Sequence, residues 1–303
     1  SRTCSCTTRA RRWSSLAVTA KPAEPVGSPF GSSRTSPLAA PRGVGQRVSE
    51  GVEQAIAIIG LEARKLAHDP TELLFRAVQP ALWLIIFGSV FSEIHVIPTG
   101  SYTYLQFLTP GILAQSVLFI SIFYGIASIR ERELGIITKF LVSPTPRWIL
   151  VGARGLSASM RGLSQALIVV LLALALGVTL DLAPFALLGL VVAIILGSAL
   201  FSTLSMIIAS IVKTQERFLG IGQLLTMPLF FASSAIYPLS VMPYWLQPIA
   251  EANPLTYLVD ALRTLMLPGE TGLHPLWLDL AVLAGVTLLL TAIEARLYPR
   301  MAQ

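Results

Sequence analysis

Four charges in a row, Arg130-Glu131-Arg132-Glu133, open the stretch RERELGIITKFLVSPTPRWIL in a 303-residue chain that is only 13% charged. Such a run offers ion pairs and charge-assisted hydrogen bonds. The patterns of covalent and acid–base chemistry are missing: the sequence holds no G-x-S-x-G, no H-E-x-x-H and no G-x-x-x-x-G-K-[ST] phosphate loop. Cys4 and Cys6 both lie in the extreme N-terminus, so no disulfide framework or thiolate metal site is expected elsewhere. His68, His95 and His274 are far apart in sequence and fall at or between expected helix ends. A metal centre would need the fold to bring distant residues together. The expectation is therefore no catalytic residue, no metal ligand and no cofactor bound by this chain.

What must position the charged run is a membrane. Soluble domains carry about 25% charged residues; this chain is 54% hydrophobic and has apolar runs near 20 residues, the mark of an integral membrane protein. Six stretches are long enough to cross a bilayer core of about 30 Å: 73–91, 107–129, 163–180, 185–212, 218–236 and 276–298. The expected fold is all-α. Residues 48–68 alternate apolar and charged positions at helical spacing and read as an amphipathic interface helix before the first span. The span interiors hold almost no ionisable groups, which weakens a proton- or sodium-coupled mechanism. Asp279 and Glu294 sit near opposite ends of the last span.

Residues 1–48 are a different material. They carry eight Arg or Lys and one acid, Glu24, among many Ser, Thr, Pro and Ala. That composition is expected of an organelle transit peptide, with a plastid-like processing site near Ala20; a retained basic tail is the alternative. The remaining Lys and Arg alternate between sides. Residues 47–76 hold four and 130–162 hold six, whereas 92–104 and 181–184 hold none and 237–275 hold only Arg263. The basic side contains both termini. It would be the stroma in a plastid, or the cytoplasm if the chain resides in a cell membrane. Most of the net charge of +6 is thereby explained without nucleic acid.

The charged run faces the basic side. Leu134, Ile137 and Leu141 recur at helical spacing after Glu131, which predicts a short amphipathic helix. Ser143-Pro144-Thr145-Pro146 ends it, because proline lacks an amide donor and restricts its predecessor. Arg147, Arg154 and Arg161 then recur every seven residues on nearly one helical face. A helix, a fixed break and a second helix can transmit a push; a solvated loop whose arginines only hold topology fits equally well.

These residues resemble the cytoplasmic-loop signature of ABC-2 type transporter permeases, of the daunorubicin-resistance and polysaccharide-export kind. Two further stretches agree: RKLAHDPTELLFRAVQPALWLIIFG, residues 64–88, and AIYPLSVMPYWLQPIAEANPLTYLVDALR, residues 235–263. The resemblance covers about residues 55–298. It implies a transmembrane domain over 49–303 that dimerises with itself or a related permease, is bathed in membrane lipid and docks on a separate ABC ATPase subunit. That partner, not this chain, would bind ATP and Mg. The element after the second span would be the coupling element, with Glu131, Arg132, Glu133 and Gly135 at its start and Ser143, Pro144 and Arg147 at its end. The complex would export a hydrophobic or amphipathic substrate. The rival readings are a membrane scaffold that transports nothing and a secondary transporter.

The segment before the last span is dense in prolines and interfacial aromatics, among them Tyr237, Pro238, Tyr244, Trp245 and Pro254. Irregular backbone at membrane depth survives only when buried in protein or lining a cavity. Asn253-Pro254 can start a helix through Leu267 that sets Asp260 and Arg263 within reach at i, i+3. The resemblance implies a re-entrant gate on the far side, holding Tyr237, Pro238, Asn253, Pro254, Asp260 and Arg263; a surface amphipathic helix is the alternative. Ser198, Ser202, Ser205 and Ala209 share one face of the fourth span, better suited to close packing than to substrate contact. Gln115 and Gln223 are the substrate-path candidates by analogy, with bonding between helices as their other role.

Overall fold

The computed structural model describes residues 78–90, 102–134, 147–181, 183–212, 214–267, 269 and 272–297. The chain divides after Arg42, and every described residue belongs to the second unit, Gly43–Gln303. The described elements are all helical: α1 (Val78–Val90), α2 (Tyr104–Glu133), α3 (Arg147–Ala175), α4 (Pro184–Ile211), α5 (Gln215–Phe231), α6 (Gln247–Ala252), α7 (Pro254–Met266) and α8 (Leu276–Leu297).

Four of these carry stretches long and apolar enough to cross a membrane: Tyr104–Glu133, Arg154–Ala175, Pro184–Ile211 and Leu276–Leu297. The sequence reading expects six. The first expected span is described only over α1, a shorter apolar helix. The fifth corresponds to α5, which has 17 residues and extends about 25 Å. Two expected boundaries move. Helix α2 runs on through Glu133, so Arg130–Glu133 form its last turn and not the start of a separate helix. Helix α3 begins at Arg147, well before the expected start at Leu163, and Arg154 and Arg161 are part of it.

Apolar side chains face outward as well as inward, unlike the surface of a water-soluble fold. Phe185, Leu188, Leu224, Leu288 and Leu289 are exposed, while Ser121, Ser128, Ser157, Ser198 and Ser205 are buried. Large apolar side chains outside and small polar ones inside suit a lipid solvent, where helices associate by close packing and not by expelling water. The small face of α4 performs that packing. Ser205 Oγ accepts from Gly125 N at 3.1 Å and donates to Ile122 O, both on α2. On α3, a Cβ at Gly162 would collide with Ser198 Oγ, so glycine lets these two helices touch.

Local chemistry fixes the helix ends. Thr103 and Gln106 form a capping box at the start of α2, with Thr103 N donating to Gln106 Oε1 at 2.9 Å. Gly177, at φ 80°, ends α3 in a left-handed turn; Gly177 N donates to Leu174 O and Val178 N to Ala173 O, both at 3.0 Å. Pro184 starts α4 and Pro254 starts α7, where a missing amide donor costs nothing. Helix α7 packs against α2, α4 and α8. Leu265 abuts Gly189 and Leu258 abuts Gly197 of α4, so α7 runs antiparallel to α4 along its first half. Gly197 lies about 20 Å along α4 from Pro184.

Candidate functional site

The bundle has two differentiated ends. At one, α2 finishes near the start of α3, the end of α4 and the start of α5. Arg154 Nη2 pairs with Glu131 Oε2 at 2.7 Å, and Arg154 Nη1 donates to Ser128 Oγ at 3.0 Å. Arg154 is only 8% exposed. Glu294, in the last turn of α8, is also buried. Gln215 Nε2 donates to Glu133 Oε2 at 3.1 Å, joining α2 to α5. Arg132 Nη1 reaches Val212 O, just past α4, at 3.5 Å.

The four charges therefore divide. Glu131 and Arg132 are half-buried and turn toward neighbouring helices, whereas Arg130 and Glu133 are exposed. Leu134 follows them at 68% exposure. Gly135, Ser143 and Pro144 lie outside the described residues, and so do the expected helix over 131–141 beyond Leu134 and the proline break. Arg147 is the first residue of α3, its side chain outside the described set.

Of the two glutamines expected along a path, Gln115 is 4% exposed within α2, and Gln223 is exposed on α5. Neither lines the cavity found beside α1 among the described residues. That cavity, of about 260 Å³, opens among α1, α2 and α3, lined by Gln79, Ser116, Phe123, Tyr124, Arg161 and Gln165. The Arg161 guanidinium stands 5.2 Å from the centre of the Tyr124 ring. The sequence reading leaves Arg161 between a second helix and a solvated loop; the structure places it on α3, seven residues after Arg154.

At the opposite end, the expected gate residues converge. Asn253 Nδ2 donates to Leu229 O and Ala232 O at 2.7 and 2.8 Å, satisfying carbonyls at the end of α5. Its Oδ1 accepts from Leu255 N at 3.0 Å and so caps α7. Pro238 begins a single 3-10 turn, Leu239–Val241. Tyr237 Oη donates to Phe231 O at 2.6 Å, and desolvation raises its phenol pKa above the usual value. Arg263 Nη2 donates to Ser234 O at 2.9 Å, with its guanidinium 3.9 Å over the Phe107 ring. Asp260 accepts from Leu273 N and His274 N, both at 2.9 Å. The i, i+3 neighbours Asp260 and Arg263 thus take different partners. Helix α7 is buried on most sides, from Leu255 to Met266, so it is no surface helix. The contacts of Asp260 with His274 and Asp279 escaped the sequence reading, because those residues come from a turn and the next helix.

A bundle with a lipid-compatible outside, a charge-knit end and an enclosed short helix at the other defines a multi-pass membrane protein. The comparisons specify it. A family model described as ABC-2 type transporter matches residues 53–267, and the chain belongs to that family. A ycf38 protein of Cyanophora paradoxa, named as a transport permease, is 32% identical over 66% of this chain and 70% of its own length. The daunorubicin resistance ABC transporter permease protein DrrB1 of Streptomyces coeruleorubidus is 26% identical over 76% of this chain and 81% of its own. YbhR of Escherichia coli K12, named as a multidrug ABC transporter permease, is 29% identical over 61% of this chain and 50% of its own.

Proposed function

We propose that this permease subunit is the membrane half of an ATP-driven exporter, working as a dimer on a separate ABC ATPase that binds ATP and Mg. The observation that carries this reading is the charge-knit end of α2. Glu131 couples α2 to α3, and Glu133, though exposed, accepts from Gln215 of α5, while Leu134 stands exposed at the same end. A force applied to that end reaches three helices at once. The stretch through Gly135, Ser143 and Pro144 would complete the docking element. The gate is the enclosed α7 with Tyr237, Pro238 and Asn253 before it, re-entering the membrane from the far side.

The cargo is hydrophobic or amphipathic. The cavity beside α1 supports that choice, since it sets aromatic side chains beside one guanidinium. Residence is a plastid membrane, with residues 1–48 as transit peptide and both termini in the stroma. The ycf38 relative from a plastid-bearing organism supports this. Affinity purification of the tagged chain in mild detergent tests the reading. Recovery of an ABC-type ATPase at near-equal amounts is the expected result; repeated recovery without one would favour a scaffold.

A further inference from the structure

The end of the bundle that carries α7 holds a cluster of which the permease reading uses only Asp260. Asp260 of α7, His274 of the connecting turn and Asp279 of the first turn of α8 bring one ligand atom each within 4.8 Å of one another. His274 Nδ1 lies 3.5 Å from Asp260 Oδ2 and 3.8 Å from Asp279 Oδ1. Asp279 is 0% exposed, and neither of its oxygens has a hydrogen-bond partner among the described residues. His274 Nδ1 has none either. Burying an unpartnered carboxylate is costly unless it is paired, coordinates a metal or gives up its charge. The cation nearest in sequence, Arg263, is directed elsewhere, at Ser234 O and the Phe107 ring.

We propose that Asp260, His274 and Asp279 form a divalent transition-metal site, of the Zn²⁺ class, that ties α7 to the start of α8. Donors bound at about 2.0–2.1 Å in a tetrahedron stand roughly 3.3–3.4 Å apart, close to the separations His274 makes with both carboxylates. One imidazole and two carboxylates suit Zn²⁺ with an open fourth position; Ca²⁺ and Mg²⁺ prefer oxygen donors alone and more of them. A dication also balances the two carboxylate charges with the imidazole neutral.

The surroundings hold these ligands in place. Both Asp260 oxygens are fixed by backbone amides, of Leu273 and His274. Tyr257 stacks on the His274 ring at 5.3 Å between centroids. Gly272 passes so close that a Cβ there would stand 2.9 Å from Asp260 Oδ1. The His274 side chain is 30% exposed, which gives an ion a way in.

The test uses the full chain in detergent, with Cys4→Ser and Cys6→Ser so that tail thiols bind nothing. After chelator treatment the protein is titrated with ZnCl₂ and analysed for metal. One tightly held Zn²⁺ per chain is expected, together with a rise in melting temperature. Asp279→Asn and His274→Gln should each weaken binding by more than the roughly 10–100-fold that loss of a supporting partner costs. If Asp279→Asn does not fold, His274→Gln at a partly exposed position decides alone. Zn²⁺ binding that is absent from the parent protein, or equal in the His274→Gln protein, overturns the proposal and leaves a histidine held between two carboxylates.

Discussion

Glu131 and Arg154 join the end of α2 to the start of α3 through a 2.7 Å ion pair, and Ser128 takes the other arm of the same guanidinium. The pair turns part of the charged run inward. It gives neighbouring charges separable roles: Glu131 holds helices together, and Glu133 stands at the surface.

Charge reversal should separate those roles. Glu131→Lys leaves a mostly buried Arg154 facing another cation. The lost charged hydrogen bond alone is worth about 1.5–3 kcal/mol. A lower melting temperature and poorer recovery from detergent are expected. Glu133→Lys should leave the melting temperature nearly unchanged and reduce ATP turnover in the complex. Equal melting curves for the two variants would refute the division.

Close packing of α2 on α4 depends on Gly125 and Ser205. A Cβ at position 125 would meet Ser205 Oγ and lie 2.6 Å from Phe218 Cζ. Gly125→Ala should therefore force the helices apart and destabilise more than Ser205→Ala. The latter should cost roughly 0.6–1.7 kcal/mol, the range of polar contacts between membrane helices. Thermal unfolding in a common detergent ranks them.

Asn253 must donate as well as accept. Asn253→Ala removes two bonds to α5 carbonyls and the α7 cap, an expected loss of about 2 kcal/mol or more. Asn253→Asp keeps the cap but sets a carboxylate against Leu229 O and Ala232 O. It should be at least as damaging. Protease sensitivity of residues 232–253 is the readout.

Arg263 needs its planar guanidinium. Lysine retains charge but cannot both cover the Phe107 ring and reach Ser234 O in the same way. Arg263→Lys should lower the melting temperature, and a wild-type curve would contradict this.

The sequence made the membrane class, the family and the start of α7 at Asn253-Pro254 legible, because apolar runs and proline–aromatic density are local signals. It misplaced the ends of α2 and α3. Arg154 and Arg161 look like loop charges in one dimension, but Arg154 is neutralised by Glu131, more than twenty positions away, and Arg161 lies beside Tyr124. The same limit hid Asp279 and His274, whose meeting with Asp260 depends on how α8 returns past α7. The alternation of Ser198, Ser202 and Ser205 was readable as packing, since small residues on one helical face have few other uses in lipid.

The central claim is that the exposed charged end of α2 meets a separate ATPase. A photo-crosslinking amino acid placed at Glu133, and another at Trp245 on the opposite loop, tests it in native membranes. Trp245 is 70% exposed, so both sites are open to partners. A covalent adduct with an ABC-type ATPase from position 133 and not from position 245 is the predicted result. No such adduct from 133, or equal adducts from both positions, would contradict it.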